Sequence, residues 1–299
     1  MTTFSAVISS KDRPEDIKKL LDSITMQTRM PAQVIVVEAG HYDQALAARL
    51  QQETRYQGLY EHFFGSSLTQ ANNRGVAKTS GEIVFFLDDD IVLEKDFFAE
   101  ILKVFTEKGS RAGGVIGNIT NTDRTKKLGK KINIFYTLFL LNRYSEHGKF
   151  TAAGFGTYVH GLDHVARTEF LSGGITAYRR EALQETGGWD DRIPKYGACC
   201  DEDMSYRISR KYLNFYTPFA RCTHKVSETS RQGYTSFKAM TLRHRAYLFK
   251  KNFARSPFSW LKFYWAILGL YLLAIYSRDW AELKGYIQGT WAILQRRIP

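Results

Sequence analysis

Short apolar runs rich in β-forming residues alternate with segments of helical periodicity, and this alternation restricts the fold more than any other feature of the chain. Phe4 to Ile8 is the first run. Ser9-Ser10-Lys11-Asp12-Arg13-Pro14 reads as a loop that ends with proline near a helix start. Ile17, Leu20, Leu21 and Ile24 then recur at helical spacing. Pro31 breaks the chain, Val34 to Val37 reads as a second buried strand, and a helix is expected over Gln44 to Thr54. Thr69 to Lys78 reads as a further helix, and past Ser80-Gly81 a strand follows over Ile83 to Leu87. Strands separated by helices imply βαβ units and a parallel sheet. Ligands of such sheets bind beyond the carboxyl ends of the strands, where Asp88, Asp89 and Asp90 stand.

A second half begins near Gly113. Gly113 to Asn118 reads as a strand, Thr122 to Lys131 is polar and basic, and Ile132 to Leu141 is apolar and aromatic. Gly148 to Gly161 is loop-like. Leu171 to Tyr178 reads as a strand, Arg180 to Thr186 as a helix, and Leu213 to Thr217 as a strand ending before Pro218. No internal repeat and no low-complexity linker is evident.

The acid triplet carries the first chemical signal. Adjacent carboxylates repel, so grouping them beside a buried strand is costly unless a cation is present. Alternate residues of an extended chain face the same way, so Asp88 and Asp90 can share one site. Their hard oxygens suit Mg²⁺ or Mn²⁺, which also bind phosphate. The plainer reading is an acidic loop capping a helix that begins near Leu93-Glu94-Lys95.

The wider context favours the metal. In order, the chain carries Ser5 to Pro14, Gln33-Val34-Ile35-Val36-Val37-Glu38-Ala39-Gly40, Gln70-Ala71-Asn72-Asn73-Arg74-Gly75 and Gly81 to Asp90. Leu171-Ser172-Gly173-Gly174, Tyr178 to Leu183, Gly187-Gly188-Trp189-Asp190, Asp201-Glu202-Asp203 before Arg207, Tyr216 to Ala220 and His224 follow. Over residues 1 to 225 this resembles glycosyltransferase family 2. The resemblance implies an α/β GT-A fold: a Rossmann-like nucleotide-binding half over 1–112, an acceptor half over 113–230, and a mixed central sheet. It implies transfer from a nucleoside-diphosphate sugar, with inversion, to a glycan or lipid-linked hydroxyl. Asp88 and Asp90 match the metal-binding D-x-D motif, and His224 matches a position that sometimes ligates the metal. Ser9, Arg13, Glu38, Asn73, Asp88 and Asp89 are the expected donor-binding residues. Glu38 stands where Asp is usual, and Asn72-Asn73 replaces an expected Arg-Asn. Gly173, Gly174, Trp189, Asp190 and Glu202 are expected to meet acceptor or sugar.

Sugar transfer needs a neutralised leaving diphosphate, a base for the acceptor hydroxyl and in-line alignment. The base falls on Asp203 when Glu202-Asp203 is aligned with the family's E-D pair. It falls on Asp201 when Arg207 ends the fuller E-D-x-D-x-x-x-R pattern, which leaves Asp203 and Arg207 as an i,i+4 ion pair. His160, Asp163 and His164 form another group, which reads as a solvated loop with metal-binding spacing as the alternative. A non-catalytic nucleotide- or glycan-binding protein of the same fold is the alternative function, against which intact Asp88, Asp90, Asp201 and Asp203 argue.

The last quarter differs in character. Of the net charge of +12, +10 lies from Lys225 onward, where thirteen basic residues face three acidic ones. Such a block attracts a polyanion, either an anionic membrane or nucleic acid. No nucleic-acid recognition motif accompanies it. Phe237 to Phe253 is basic and aromatic at helical spacing, Phe258 to Tyr276 is strongly apolar, and Trp280 to Leu294 is amphipathic. The uncharged stretch Phe263 to Tyr276 falls short of the roughly 20 residues that span a bilayer. Residues 231–299 are therefore expected to form amphipathic, membrane-associated helices lying on a peripheral anionic surface. Three cysteines make no disulfide framework, and Met1-Thr2-Thr3-Phe4-Ser5 lacks the features of a signal peptide. The expected location is the cytosolic face of a membrane.

Overall fold

A computed structural model describes residues 2–65, 67–121, 130–142, 148–159, 161–225 and 233–298. His160 and most of the polar, basic stretch that follows β6 below, 122–129, lie outside the described residues. Among those described, nine strands form one sheet in the order β3-β2-β1-β4-β8-β6-β9-β5, with β7 on β9.

The first four strands are β1 (Phe4–Ser10), β2 (Gln33–Glu38), β3 (Gln57–His62) and β4 (Ile83–Leu87). All pair in parallel, and β1 lies between β2 and β4. Helices α1 (Pro14–Thr25), α2 (Gln44–Gln52) and α3 (Leu68–Lys78) connect them. The predicted spacing of α1 holds: Ile17, Leu20, Leu21 and Ile24 are all buried. β4 is buried throughout, as an apolar run in a sheet covered on both faces requires. Strand β3 is absent from the sequence reading. It is an edge strand of mixed polarity, Gln-Gly-Leu-Tyr-Glu-His, with no hydrophobic alternation to reveal it.

The acid triplet does not run into a helix. It leads into a short strand, β5 (Ile91–Leu93), and only then into α4 (Phe97–Lys108). The second half contributes β6 (Ala112–Ile119), α5 (Lys130–Leu138), β7 (Ala166–Thr168), β8 (Ile175–Arg179), α6 (Arg180–Thr186), α7 (Cys200–Ser209) and β9 (Leu213–His224). β8 runs antiparallel between β4 and β6, so both halves share one mixed sheet. The strand expected from Leu171 starts only at Ile175, after a turn at Gly173 and Gly174.

β9 continues through Pro218 where a stop is expected. Proline lacks a ladder N–H, but here it falls between the segments of β9 that pair with β7, Asn214 to Tyr216, and with β5, Cys222 to His224. The pairing of β9 with β6 is also interrupted there, between Tyr216 and Arg221. The bulge absorbs the missing donor, and the strand reaches His224.

Three helices complete the chain: α8 (Tyr234–Asn252), α9 (Ser259–Tyr276) and α10 (Trp280–Leu294). With Lys262 included, α9 is 18 residues, long and apolar enough to cross a membrane by length and composition. α10 lies against α8 at close range. A Cβ on Gly285 would come within 2.7 Å of the Thr235 carbonyl oxygen, and one on Gly289 within 2.9 Å of that of Ala239. Leu242, Ala246 and Phe249 of α8 form a second core with Phe263, Ile267 and Ala274 of α9 and with Tyr286 and Ile293 of α10. Tyr247 faces the other way and belongs to the main core.

Candidate active site

The strand order turns at β1 and β4, and their carboxyl ends open a crevice there. Ser9, Ser10, Lys11 and Arg13 come from the end of β1, and Asp88, Asp89 and Asp90 from the end of β4. They line a cavity of about 730 Å³ together with Ala39, Ser67, Leu68, Lys195, Tyr196, His224 and Phe237, a volume in the usual range for a bound small molecule.

The three acids divide the work. Asp89 is buried and turned toward β1, where it accepts from Ser10 Oγ at 2.6 Å and from Arg13 at 2.9 Å. Asp88 and Asp90 are left to converge with His224: one ligand atom of each lies within 4.8 Å of the others. The antiparallel pairing of Ile91 with His224 sets this up, because it carries His224 alongside the residue before Ile91. His224 Nε2 lies 2.8 Å from Asp90 Oδ1. Two carboxylates and an imidazole are a donor set that suits a divalent cation. Burial, reinforced by the charges of Asp89 and Asp90, pushes the Asp88 carboxyl up to about 6.

A smaller cavity of about 200 Å³ opens from the same wall, sharing Ser9, Leu68 and Asp88. Gly173, Gly174, Trp189 and Asp201 form its far side. The two glycines separate the acids: a Cβ on Gly174 would fall 2.0 Å from Asp88, and one on Gly173 2.3 Å from Asp201. Gly174 has φ +84°, which adds a conformational reason for glycine. Asp201 sits in the first turn of α7. Burial, with Asp88 as the next cause, pushes its carboxyl up to about 7. Such a group is suited to accept a proton near neutrality.

The remaining expected site residues are used differently. Asp203 is buried and bonded to Arg207, Lys251 and Asn252. Glu202 pairs with Arg245 at 2.9 Å. Burial raises the carboxyl of Asp190, but bonds from Arg192, Lys251 and Tyr247 outweigh it and hold it below the usual range. These three acids thus anchor α8 to the body of the molecule. Asn73 donates to the Trp189 carbonyl at 2.8 Å and accepts from its N–H at 2.9 Å, so it fixes the Trp189 loop. Trp189 itself is buried, with its ring against Phe86 and Tyr178. Glu38 accepts from the N–H groups of Asp12 and Gly40, and burial raises its pKa. Asp163 and His164 pair with each other on the surface. Lys195, Tyr196 and Phe237 line the large cavity although no sequence motif marks them, and Phe237 arrives from α8.

Comparisons with known proteins agree with the fold. The fold matches a mannosyltransferase from Pyrobaculum calidifontis in complex with GDP-Man and Mn²⁺ at a TM-score of 0.61, with 17% identity over 98% of this chain and 87% of the other. It matches Staphylococcus aureus TarS in complex with UDP-GlcNAc at a TM-score of 0.55, with 13% identity over 98% of this chain and 92% of that one. In sequence, the chain is 23% identical over 234 residues to the poly-beta-1,6-N-acetyl-D-glucosamine synthase of Staphylococcus epidermidis. That stretch is 75% of this chain but only 50% of the synthase, so the chain spans about half its length. The fold is GT-A, and the family model for glycosyl transferase family 2 matches residues 5–187, more than half of the chain. The D-x-D residues, the twin glycines and the α7 acid all lie on that fold, and the chain belongs to glycosyl transferase family 2 as a glycosyltransferase.

Proposed function

We propose that this glycosyltransferase is inverting and metal-dependent, and that it moves a sugar from a nucleoside-diphosphate sugar to a hydroxyl of a glycan or lipid-linked acceptor. The observation that carries the reading is the placement of Asp201 across Gly173 and Gly174 from the Asp88, Asp90 and His224 cluster. The large cavity has room for the nucleotide, and the small one lies where its sugar would extend. The donors bound by the two solved neighbours, and the polymer made by the Staphylococcus relative, support the choice of donor and acceptor class.

Asp88, Asp90 and His224 would hold Mn²⁺ or Mg²⁺. When bound, the ion neutralises charge on the leaving diphosphate. Asp201 accepts the proton of the acceptor hydroxyl, the acceptor oxygen bonds to the anomeric carbon, and the bond from that carbon to the diphosphate oxygen breaks with its electron pair. One displacement inverts the centre. Asp89 takes no part as a ligand; it fixes Ser10 and Arg13 at the donor wall.

The test is a screen of nucleotide sugars for diphosphate release with and without Mn²⁺. Turnover should require the ion, and Asp90→Asn should abolish metal-dependent donor binding without unfolding the chain. Asp201→Asn should lower kcat by about 10²–10⁴-fold while donor affinity persists. Full turnover in excess chelator removes the metal from the scheme, and an Asp201→Asn variant with unchanged kcat removes the base.

A further inference from the structure

We propose that α9, α10 and the end of α5 form one lipid-facing surface that lies on an anionic bilayer without crossing it. Each of these helices has an inner face committed to the protein and an outer face that is apolar and open. On α9 the outer stripe is Leu261, Trp265, Leu268, Leu272 and Ile275, spaced at three and four and 40–67% exposed. On α10 it is Trp280, Ile287, Trp291 and Leu294, each more than half exposed. Ile134 and Leu138 of α5 adjoin the first stripe, because Trp265 donates to the Leu138 carbonyl at 2.8 Å and stacks on Phe139. An apolar surface of this extent on a soluble chain marks an interaction site.

The charge around it names the occupant. Arg255, Lys262, Arg278, Lys284, Arg296 and Arg297 are exposed along the same segment. The two acids there are already partnered: Asp279 caps α10 and accepts from Tyr234, and Glu282 pairs with Lys238. Among the described residues of this segment, the charged side chains that stand fully exposed are all cationic. A second copy of this chain would bring the same cations into opposition, whereas phosphate headgroups would complement them. Trp280 and Trp291 suit the headgroup boundary, where an apolar ring can keep its N–H wet.

The inner faces decide between lying on the bilayer and spanning it. Phe263, Ile267 and Ala274 of α9 are buried against α8 and α10. Gly269 meets the Phe139 ring so closely that a Cβ would come within 2.5 Å of that side chain. A helix held lengthwise in this way offers lipid one face, as interfacial helices do.

The test uses the full chain without donor, so it is independent of the transferase reading, and Asp201→Asn should bind as wild type. Vesicles of phosphatidylcholine with and without phosphatidylglycerol are sedimented with the protein. Binding should require the anionic lipid, and each of Lys262→Gln, Lys284→Gln and Arg296→Gln should weaken partition about fivefold. Leu268→Ser combined with Leu272→Ser should weaken it further while circular dichroism is unchanged. Brominated lipid should quench the tryptophan fluorescence, and alkaline carbonate should release the protein. Carbonate-resistant protein would show a span and overturn the proposal. A protein that stays in the supernatant with anionic vesicles, whether monomer or dimer by sedimentation equilibrium, would overturn it equally.

Discussion

Gly174 stands where neither its own backbone angle nor its neighbour tolerates a side chain. With φ +84° and Asp88 2.0 Å from the Cβ position, Gly174→Ala adds about 1–2 kcal/mol of backbone strain and displaces the Asp88 carboxylate of the proposed metal site. Manganese affinity, read by calorimetry, should fall at least about tenfold, with little change in the circular dichroism spectrum. His244 carries a different prediction. It is buried, with Nδ1 3.1 Å from the Ala198 carbonyl, and burial lowers its pKa from 6.5 to about 4. The native residue stays neutral where the unfolded one takes up a proton, so its contribution to stability is full above pH 6.5 and is lost as pH falls toward 4. At about 1.4 kcal/mol per pH unit the loss approaches about 3 kcal/mol. Urea melts at about pH 7 and about pH 4.5 should show it, and His244→Gln should shrink the difference. At this scale the sequence shows its acids well and their assignments poorly. Asp88 and Asp90 stand out because adjacent acids after a buried strand are costly without a partner and because the motifs around them fall in the family's order. Asp201 and Asp203 cannot be told apart by motif; the structure separates them by partners, since Asp203 is bonded to Arg207, Lys251 and Asn252 while Asp201 lines the cavity.

Among elements, those with strong periodicity are the ones the sequence reveals. The amphipathic α1 and the wholly apolar β4 are legible because burial repeats at fixed intervals along them. β3 and β5 are not, because an edge strand and a three-residue strand owe their state to partners distant in sequence. The same distance hides the route by which His224 meets Asp90, which depends on β9 passing Pro218 and pairing with β5. The contact of α7 with α8 is likewise invisible, and it carries a prediction. Lys251 bridges Asp190 at 2.7 Å and Asp203 at 2.9 Å. Lys251→Met takes one cation from two buried carboxylates that keep Arg207 and Arg192, at a cost of about 1–3 kcal/mol. The melting temperature should fall markedly, and Lys251→Arg should recover part of the loss.

At the scale of the whole molecule, residues 231–299 are read from sequence as a tail, yet α8 is built into the catalytic body. Arg245, Tyr247, Lys251 and Asn252 satisfy Glu202, Asp190 and Asp203, and Phe237 lines the large cavity. A chain ending at Gly233 should therefore aggregate rather than yield a soluble domain, as size-exclusion chromatography would show. A monodisperse, folded 1–233 fragment would contradict the packing described. Gly285 and Gly289 extend the same dependence outward, since they let α10 approach the backbone of α8 more closely than any other residue permits. That seam makes the C-terminal helices a heritable unit. A chimera that joined this catalytic half to the last helix of a relative would meet α8 with the wrong surface, so recombination can exchange α8 and α10 only together.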